Sequence, residues 1–342
     1  MTSKARQLAD LGGDTANLED ISSAYSSGAL SNRSKIINGA MTIDQRNAGA
    51  SVTVNTASNQ FSVDRWKVEA QATDGVFTAQ QDASAPTGFN TSLKITVTTA
   101  DASIGSAQRY QLIQRLEGYN TADLGFGATG AKTTTLSFWV RSSLTGTFGG
   151  SYRNSVADRS YPFSYAISAA DTWEYKTVTV SGDTSGTWVK NNGAGIILTF
   201  SLGSGTNFQG TAGAWNGNNN NTVTGETQLI ATNAATFYIT GVQLEAGDTA
   251  TPFEHRSYGQ ELALCQRYYA KSGGINSHAT DYNGALYIGD VRFKTTMRAT
   301  PTVTIFGDGT QGIVGSQDTE QFYFFRSGSS TYITAWNASA EL

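Results

Sequence analysis

Short stretches in which apolar and polar residues alternate recur along this 342-residue chain from about residue 35 onwards. The stretch TTTLSFWVRSS puts Leu136, Phe138 and Val140 on one face and Trp139 and Arg141 on the other. Further stretches of this kind are KIINGAMTIDQR, FSVDRWKVEA, SLKITVTTA, RYQLIQRLEG, WEYKTVTVSG, GAGIILTFSL and ATFYITGVQLE. A repeat of two residues is that of a β-strand, and clusters of Gly, Asn, Asp and Ser separate the stretches. The pattern predicts an all-β fold, an antiparallel sandwich.

The composition agrees with such a fold and excludes several classes of protein. Charged residues make up 15 %, against about 25 % in an average soluble protein. The net charge is -4 and no basic run is present, so we expect no nucleic-acid partner. The single cysteine, Cys265, excludes an internal disulfide. We see neither a secretion signal nor an apolar run of about 18 residues, so we expect no membrane insertion.

The pattern divides the chain into three predicted domains. Residues 1–34 are polar with scattered apolar residues, which predicts an attachment arm that becomes ordered against a partner. Its stretch SKARQLADLGG predicts two helical turns, because the glycine pair is a helix stop signal. Residues 35–256 carry the sandwich pattern. Residues 257–342 are expected to form a second, smaller β-rich domain.

The boundary before residue 257 shows a change of period. The alternation in YITGVQLE slips at Gly241, which predicts a β-bulge, and Pro252 ends the strand because proline cannot donate to a ladder. Apolar residues then recur with the spacing of one helical face, at Tyr258, Leu262, Cys265 and Tyr269. We predict a short helix that runs into a strand near Tyr268. Strand patterns return in ALYIGDVRFKTTM, TPTVTIFG, QFYFFRS and TYITAW.

The boundary segment also carries a family resemblance. GVQLEAGDTATPFEHRSYGQELALCQRYY, residues 241–269, resembles the linker of many phage tail-fibre and receptor-binding proteins. ALSNRSKIINGAMTIDQRNAGA with VDRWKV resembles the start of their central domain, and FKTTMRATPTVTIF resembles a common opening of their terminal module. Together these motifs extend from about residue 29 to 306.

The resemblance implies a virion component, a homotrimer that attaches to host-surface glycans. It implies that the central domain is a jelly roll similar to carbohydrate-binding modules, and that other virion proteins hold the arm. The group has no shared catalytic residues. Its recurring residues resemble fold and linker determinants, here Asp64, Arg65, Trp66, Pro252, Phe253, Glu254, His255 and Arg256.

Motifs for cofactor or metal chemistry are weak in this chain. GFGATG, residues 125–130, has the spacing of a dinucleotide-binding loop, but the strand TTTLSFWV follows it where that site needs a helix. We interpret it as a glycine-rich loop and expect no cofactor. His255, His278 and Cys265 supply too few donors for a zinc site. No EF-hand loop is present, and calcium held by carbonyl groups and Asp stays open.

Aromatic residues make up 11 % of the chain and are the most informative functional signal. An aromatic ring is a flat apolar surface that complements the apolar face of a sugar, and Tyr and Trp add a polar group. We predict a carbohydrate-binding platform from residues on polar strand faces and in the Asn-rich surface loop 214–222: Trp139, Arg141, Trp173, Tyr175 and Trp215. Packing between subunits is the alternative explanation for these side chains.

The sequence therefore predicts a phage tail fibre or receptor-binding protein that binds glycans without catalysis, made in the host cytoplasm and located in the virion. One alternative is a capsid fibre or decoration protein without a receptor role. A second alternative is a polysaccharide depolymerase. Glycan cleavage needs two carboxylates at a suitable separation, which a sequence does not reveal.

Overall fold

The computed structural model describes residues 32–272, 277–278, 287–307, 313–326 and 332–342. Nearly all of the predicted arm, including its helical turns, lies outside these residues. Two antiparallel sheets of six strands pack face to face in the central part of the chain. No helix among the described residues is long and apolar enough to cross a membrane.

Sheet 1 contains, in spatial order, β1 (Val52–Val54), β4 (Val76–Asp82), β5 (Ser92–Thr99), β14 (Thr236–Ala246), β7 (Thr134–Ser142) and β10 (Glu174–Val180). Sheet 2 contains β2 (Asn59–Phe61), β3 (Lys67–Gln71), β6 (Arg109–Glu117), β11 (Ala194–Ser204), β8 (Gly146–Arg153) and β9 (Ser160–Ile167). The chain passes repeatedly from one sheet to the other, and β14 lies between β5 and β7. This arrangement is a jelly-roll β-sandwich, which confirms the predicted fold class.

Smaller elements connect and cover the strands. A four-residue helix α1 (Gly118–Thr121) follows β6, and the short β12 (Gln209–Gly210) and β13 (Thr222–Val223) pair in parallel. Short 3-10 turns lie at Ala122–Leu124, Thr206–Phe208 and Leu229–Ala231. The glycine-rich stretch 125–130 forms turns that lead into β7, as predicted for a loop.

The core lies between the two sheets and is rich in aromatic rings. Phe138 of sheet 1 and Phe200 of sheet 2 meet with ring centroids 5.1 Å apart, and Trp66 lies 6.3 Å from Phe200. The indole of Trp66 is fully buried and donates to the carbonyl of Asn38. An edge-to-face contact such as that of Phe138 with Phe200 adds to the stabilisation that comes from burying apolar area.

The predicted slip at Gly241 is a β-bulge, at which the register of β14 against β7 shifts between Thr240 and Gln243. Ile239 faces the core before the bulge and Val242 faces it afterwards. The bulge adds one residue to β14. Without that residue, Val242 and Leu244 would point away from the core, whereas with it they point into the core as Ile239 does.

Helix α2 (Tyr258–Gln266) begins at a capping box formed by Ser257 and Gln260, and β15 (Tyr269–Lys271) follows as predicted. The predicted apolar face is wrong at its first position, because Tyr258 is 65 % exposed. Cys265 and Tyr268 are buried against Ile37 and Ile43 instead. The helix therefore packs on the segment that precedes the sandwich strands.

The remaining strands form two small sheets with a core of their own. One contains β15, β16 (Ser277–His278), β18 (Thr302–Gly307) and β21 (Tyr332–Ser339), and the other contains β17 (Tyr287–Arg292), β19 (Ile313–Gln317) and β20 (Gln321–Arg326). Their core is separate from that of the sandwich and includes Met297, Ile305, Phe322 and Trp336. The division of the chain into domains stays a prediction.

Candidate functional site

Aromatic side chains from neighbouring strands meet on the outer face of sheet 1. Trp139 of β7 lies opposite Tyr175 of β10, and their ring centroids are 5.4 Å apart. Tyr238 of β14 lies beside them, with the ring of Trp173 at 6.1 Å. We call these four residues the aromatic platform. Trp139, Tyr175 and Tyr238 lie within strands, and their neighbours along each strand point towards the core. Because successive residues of a strand face opposite sides, these three rings face away from the core.

Cationic side chains border the platform at Tyr238. The guanidinium carbon of Arg141 lies 4.9 Å from the centroid of the Tyr238 ring, and Nζ of Lys94 lies 5.5 Å from it. Arg141 also donates to Ser84 and forms an ion pair with Asp171, while Nε of Arg141 has no partner in the described part of the chain. The platform thus combines ring faces with hydrogen-bond donors at its edge.

The rings differ in their access to solvent. Tyr175 is 44 % exposed, Trp139 and Trp173 are half-buried, and Tyr238 is 8 % exposed. Phe89 packs near Trp139 at the bulge and contacts Phe253 with ring centroids 5.0 Å apart. Tyr175 and Trp139 are therefore the rings best placed to contact a ligand.

His255 packs in a group of three rings beside the platform, which we call the linker cluster: Phe89, Phe253 and His255. The His255 ring lies 4.9 Å from Phe253 and 5.3 Å from Phe89, centroid to centroid. Among the described residues, no group of three or more His, Cys, Asp and Glu side chains could hold a metal ion. The side chain of His278 lies outside the described residues.

Of the five residues predicted for carbohydrate binding, four lie together on the outer face of sheet 1: Trp139, Arg141, Trp173 and Tyr175. The fifth, Trp215, lies elsewhere. The Trp215 ring packs on Phe126, Trp188 and Tyr161, and its indole nitrogen donates to the carbonyl of Ser181 at 2.6 Å. Trp215 thus belongs to a separate packing cluster. Nor is the loop 214–222 wholly at the surface, since its residues 220–222 are buried.

The outer face of sheet 2 carries arginines and buried polar side chains, which the sequence pattern did not predict as a site. Arg115 of β6 and Arg153 of β8 flank Ile197 of β11 in one row across the strands. In the next row, Ser151 and Thr199 are fully buried although they point away from the sandwich core. A buried polar surface outside a core is unusual, because burying polar groups is costly unless they are paired.

Charged groups at the edges of this surface are partly paired. The Glu69 carboxylate lies 3.0 Å from Nζ of Lys67 and 3.2 Å from a terminal nitrogen of Arg109. These cations hold the pKa of Glu69 below its usual value despite its burial. The Glu226 carboxyl accepts from Ser201 and Thr222, and burial raises its pKa to about 7.

Comparisons with known proteins give a fold likeness at low similarity. No family model matches the sequence, and neither does any curated protein. Of the solved structures that are similar, a protein from Bacteroides thetaiotaomicron with a proposed sugar-binding role is 12 % identical, with 63 % of this chain and 100 % of that chain covered and a TM-score of 0.36. A family 11 carbohydrate-binding module from Clostridium thermocellum is 10 % identical, with 58 % and 100 % covered and a TM-score of 0.29.

The enzymatically active domain of tailspike protein 4 from bacteriophage CBA120 is also similar, at 12 % identity and a TM-score of 0.32. The match covers 63 % of this chain and 21 % of the tailspike chain, so this protein spans about a fifth of that chain. Scores this low support no conclusion about function. The jelly-roll assignment rests on the strand order and pairing described above.

Proposed function

We propose that this chain is a non-catalytic phage virion protein, a tail fibre or receptor-binding protein that attaches to glycans on the host surface. The observation that carries the proposal is the aromatic platform, in which the rings of Trp139 and Tyr175 adjoin at an interplanar angle of 50° with Arg141 nearby. A sugar ring would stack on these faces, and its hydroxyl groups would bond to the polar side chains at the edge. The linker and domain motifs support the virion assignment.

The binding mode needs neither a metal nor a nucleophile. Stacking and hydrogen bonding to a single sugar unit give weak affinity, because each contact must offset the loss of rotational and translational freedom. Several copies of the site on one particle would raise the effective concentration of the second binding event and so hold the phage by avidity. Weak single sites therefore suffice for adsorption.

The test is binding of purified protein to an array of bacterial surface polysaccharides, with Tyr175→Ala and Trp139→Ala as variants. Truncating an aromatic anchor of a binding site typically costs about 2 kcal/mol or more, so we expect affinity to fall more than about tenfold. Tyr119→Ala is the matched control, because Tyr119 is 63 % exposed in α1, away from the platform. Circular dichroism would check that each variant is folded.

Other outcomes would contradict the proposal in distinct ways. Unchanged glycan binding by both platform variants would exclude the platform as the site. New reducing ends after incubation with a bound polysaccharide would show a depolymerase. Adsorption of phage that lacks the protein at the wild-type rate, with the protein labelled on the capsid, would show a decoration role.

A further inference from the structure

The outer face of sheet 2 carries three arginines with little negative charge to balance them. Arg109 and Arg115 come from β6 and Arg153 from β8, and the neutral side chains of Gln111, Ser151 and Thr199 lie with them on this face. We call these six residues the basic strip. Lys67 and Glu69 border it, and Glu226 lies beyond Ser201 at its other side. Four cations thus lie on or beside this face, and the carboxylate that pairs with them is that of Glu69, bound to Lys67 and Arg109.

Arg153 is the least balanced charge of the strip. Only 6 % of the residue is exposed, and its guanidinium contacts the amide oxygen of Asn219. No carboxylate lies within ion-pair distance of Arg153 or Arg115 in the described part of the chain. Burial, followed by the charges of nearby arginines, lowers the pKa of Arg153 to about 10. A buried cation without a counter-charge destabilises the fold unless an anion binds beside it.

Several neutral polar atoms on and beside the strip also lack partners. Oγ of Ser151, Oγ1 of Thr199 and Oε1 of Gln111 are buried without a hydrogen bond to any described residue, and so are both amide atoms of Asn221. Polar atoms left unpaired in a buried position normally indicate a missing partner such as water or a ligand. Here donors and acceptors are interspersed with cations, as a ligand with both hydroxyl and anionic groups requires.

The strip is only partly exposed, on the side of β3 and β6. The side chains of Arg109 and Lys67 are 18 % and 12 % exposed, respectively, and Arg115 is half-buried. The ring of Phe208, from the loop after β11, lies 4.8 Å from the Arg109 guanidinium carbon and forms a boundary there. A ligand could therefore reach the arginines from the side of β3 and β6.

We propose that the basic strip is a second glycan site, which binds an anionic sugar unit bearing a carboxylate or a phosphate group. Guanidinium groups form two parallel hydrogen bonds to either anion, and the neutral polar atoms would meet the sugar hydroxyls. The glycan nature of the ligand rests on the proposed function, whereas the preference for negative charge rests on the arginines alone. The aromatic platform lies on sheet 1, on the opposite side of the sandwich. It consists mainly of aromatic rings, whereas the basic strip consists of arginines and neutral polar side chains.

The test is titration calorimetry of the full chain with tetragalacturonate, its fully methyl-esterified form and a glycerol-phosphate oligomer, each at low and moderate salt. We expect binding of at least one anionic probe, weakened by salt, and no measurable binding of the neutral ester. Arg153→Gln and Arg115→Gln should each weaken the anion at least about tenfold. Arg292→Gln, at an exposed arginine of β17, should leave binding unchanged.

Thermal unfolding separates a ligand-binding role from a structural one. Because Arg153→Gln removes a buried unpaired charge, its melting temperature should equal or exceed that of the wild type, and the bound anion should raise only the wild-type value. A large drop for Arg153→Gln, equal binding of acid and ester, or unchanged affinity in both arginine variants would overturn the inference.

The two glycan proposals fail in distinguishable ways. If surface polysaccharide binds in a Trp139-dependent manner while neither anionic probe binds, the proposed function stands and the second site is wrong. If the anions bind through Arg153 but no surface polysaccharide binds, the strip is an anion site and the proposed attachment role is wrong. Whether the carboxylate or the phosphate probe binds more tightly identifies the anionic group.

Discussion

Gly241 links the backbone of β14 to the surface chemistry of sheet 1. Its φ is +61°, in the left-handed region that favours glycine. A Cβ atom at this position would lie 2.7 Å from the Phe89 ring and 3.1 Å from Cδ1 of Trp139. The absence of a side chain therefore permits the bulge and leaves room for the platform and the linker cluster to meet.

We expect Gly241→Ala to destabilise the protein by about 2–4 kcal/mol, from the left-handed conformation and from overpacking. Gly225→Ala is the matched control, since Gly225 has φ +78° and no atom within 4 Å of an added Cβ. Urea unfolding of both variants would isolate the steric contribution. Equal losses in the two variants would mean that Phe89 and Trp139 move aside at no cost.

At the scale of elements, the segment between β14 and α2 ties distant parts of the chain together. Glu254 accepts from the backbone nitrogen of Ser34, and Arg256 donates to the carbonyls of Ser34 and Ile36. Pro252, Phe253 and His255 pack or bond on the outer side of sheet 1. The segment therefore has a structural role: it holds the backbone at residues 34–36, where the sandwich begins, through hydrogen bonds.

A buried ion pair joins the end of α2 to the sandwich. The Glu117 carboxylate is buried and accepts from Nε and a terminal nitrogen of Arg267 at 3.0 and 2.6 Å, and from the Tyr268 hydroxyl at 2.6 Å. Arg65 stacks on the Tyr268 ring at 3.5 Å and pairs with Glu341 near the chain end. The second set of sheets is thus anchored to β6 through Glu117.

We expect Glu117→Gln to destabilise the protein by about 1–3 kcal/mol, because the hydrogen bonds to the buried carboxylate are weakened while Arg267, 30 % exposed, keeps part of its solvation. Limited proteolysis should then cut faster between β14 and α2. Glu320→Gln, at an exposed residue before β20, should change neither unfolding nor proteolysis. If the unfolding midpoint of Glu117→Gln equals that of the wild type, the apolar contacts of α2 are sufficient to hold it on the sandwich.

At the scale of the whole molecule, the proposed attachment role depends on several copies acting together. A trimer would display three platforms and three basic strips, each with weak affinity for one sugar unit, and avidity would multiply their effect. We expect light scattering after size-exclusion chromatography to give three times the mass of one chain. A monomer at all accessible concentrations would contradict the trimer, and avidity would then require separate copies of the chain on one particle.

The class of fold and the direction of many side chains could be predicted from the amino-acid sequence. A two-residue period predicts strands, and it placed Trp139 and Arg141 opposite the core because successive residues of a strand face opposite sides. Gly241 predicted the bulge and Pro252 predicted the strand end, because both features depend mainly on backbone conformation. These features are local, so no knowledge of neighbouring strands was needed.

Which strands are neighbours could not be predicted from the sequence and became visible in the folded chain. Tyr238 joined Trp139 on the platform because β14 pairs with β7, although nearly a hundred positions separate them in the sequence. Trp215 does not lie on the platform, and the sequence could not show this because a loop has no period that indicates where its ring will pack. The basic strip depends on β6, β8 and β11 lying side by side, and strand order follows from burial of the whole core rather than from any single segment.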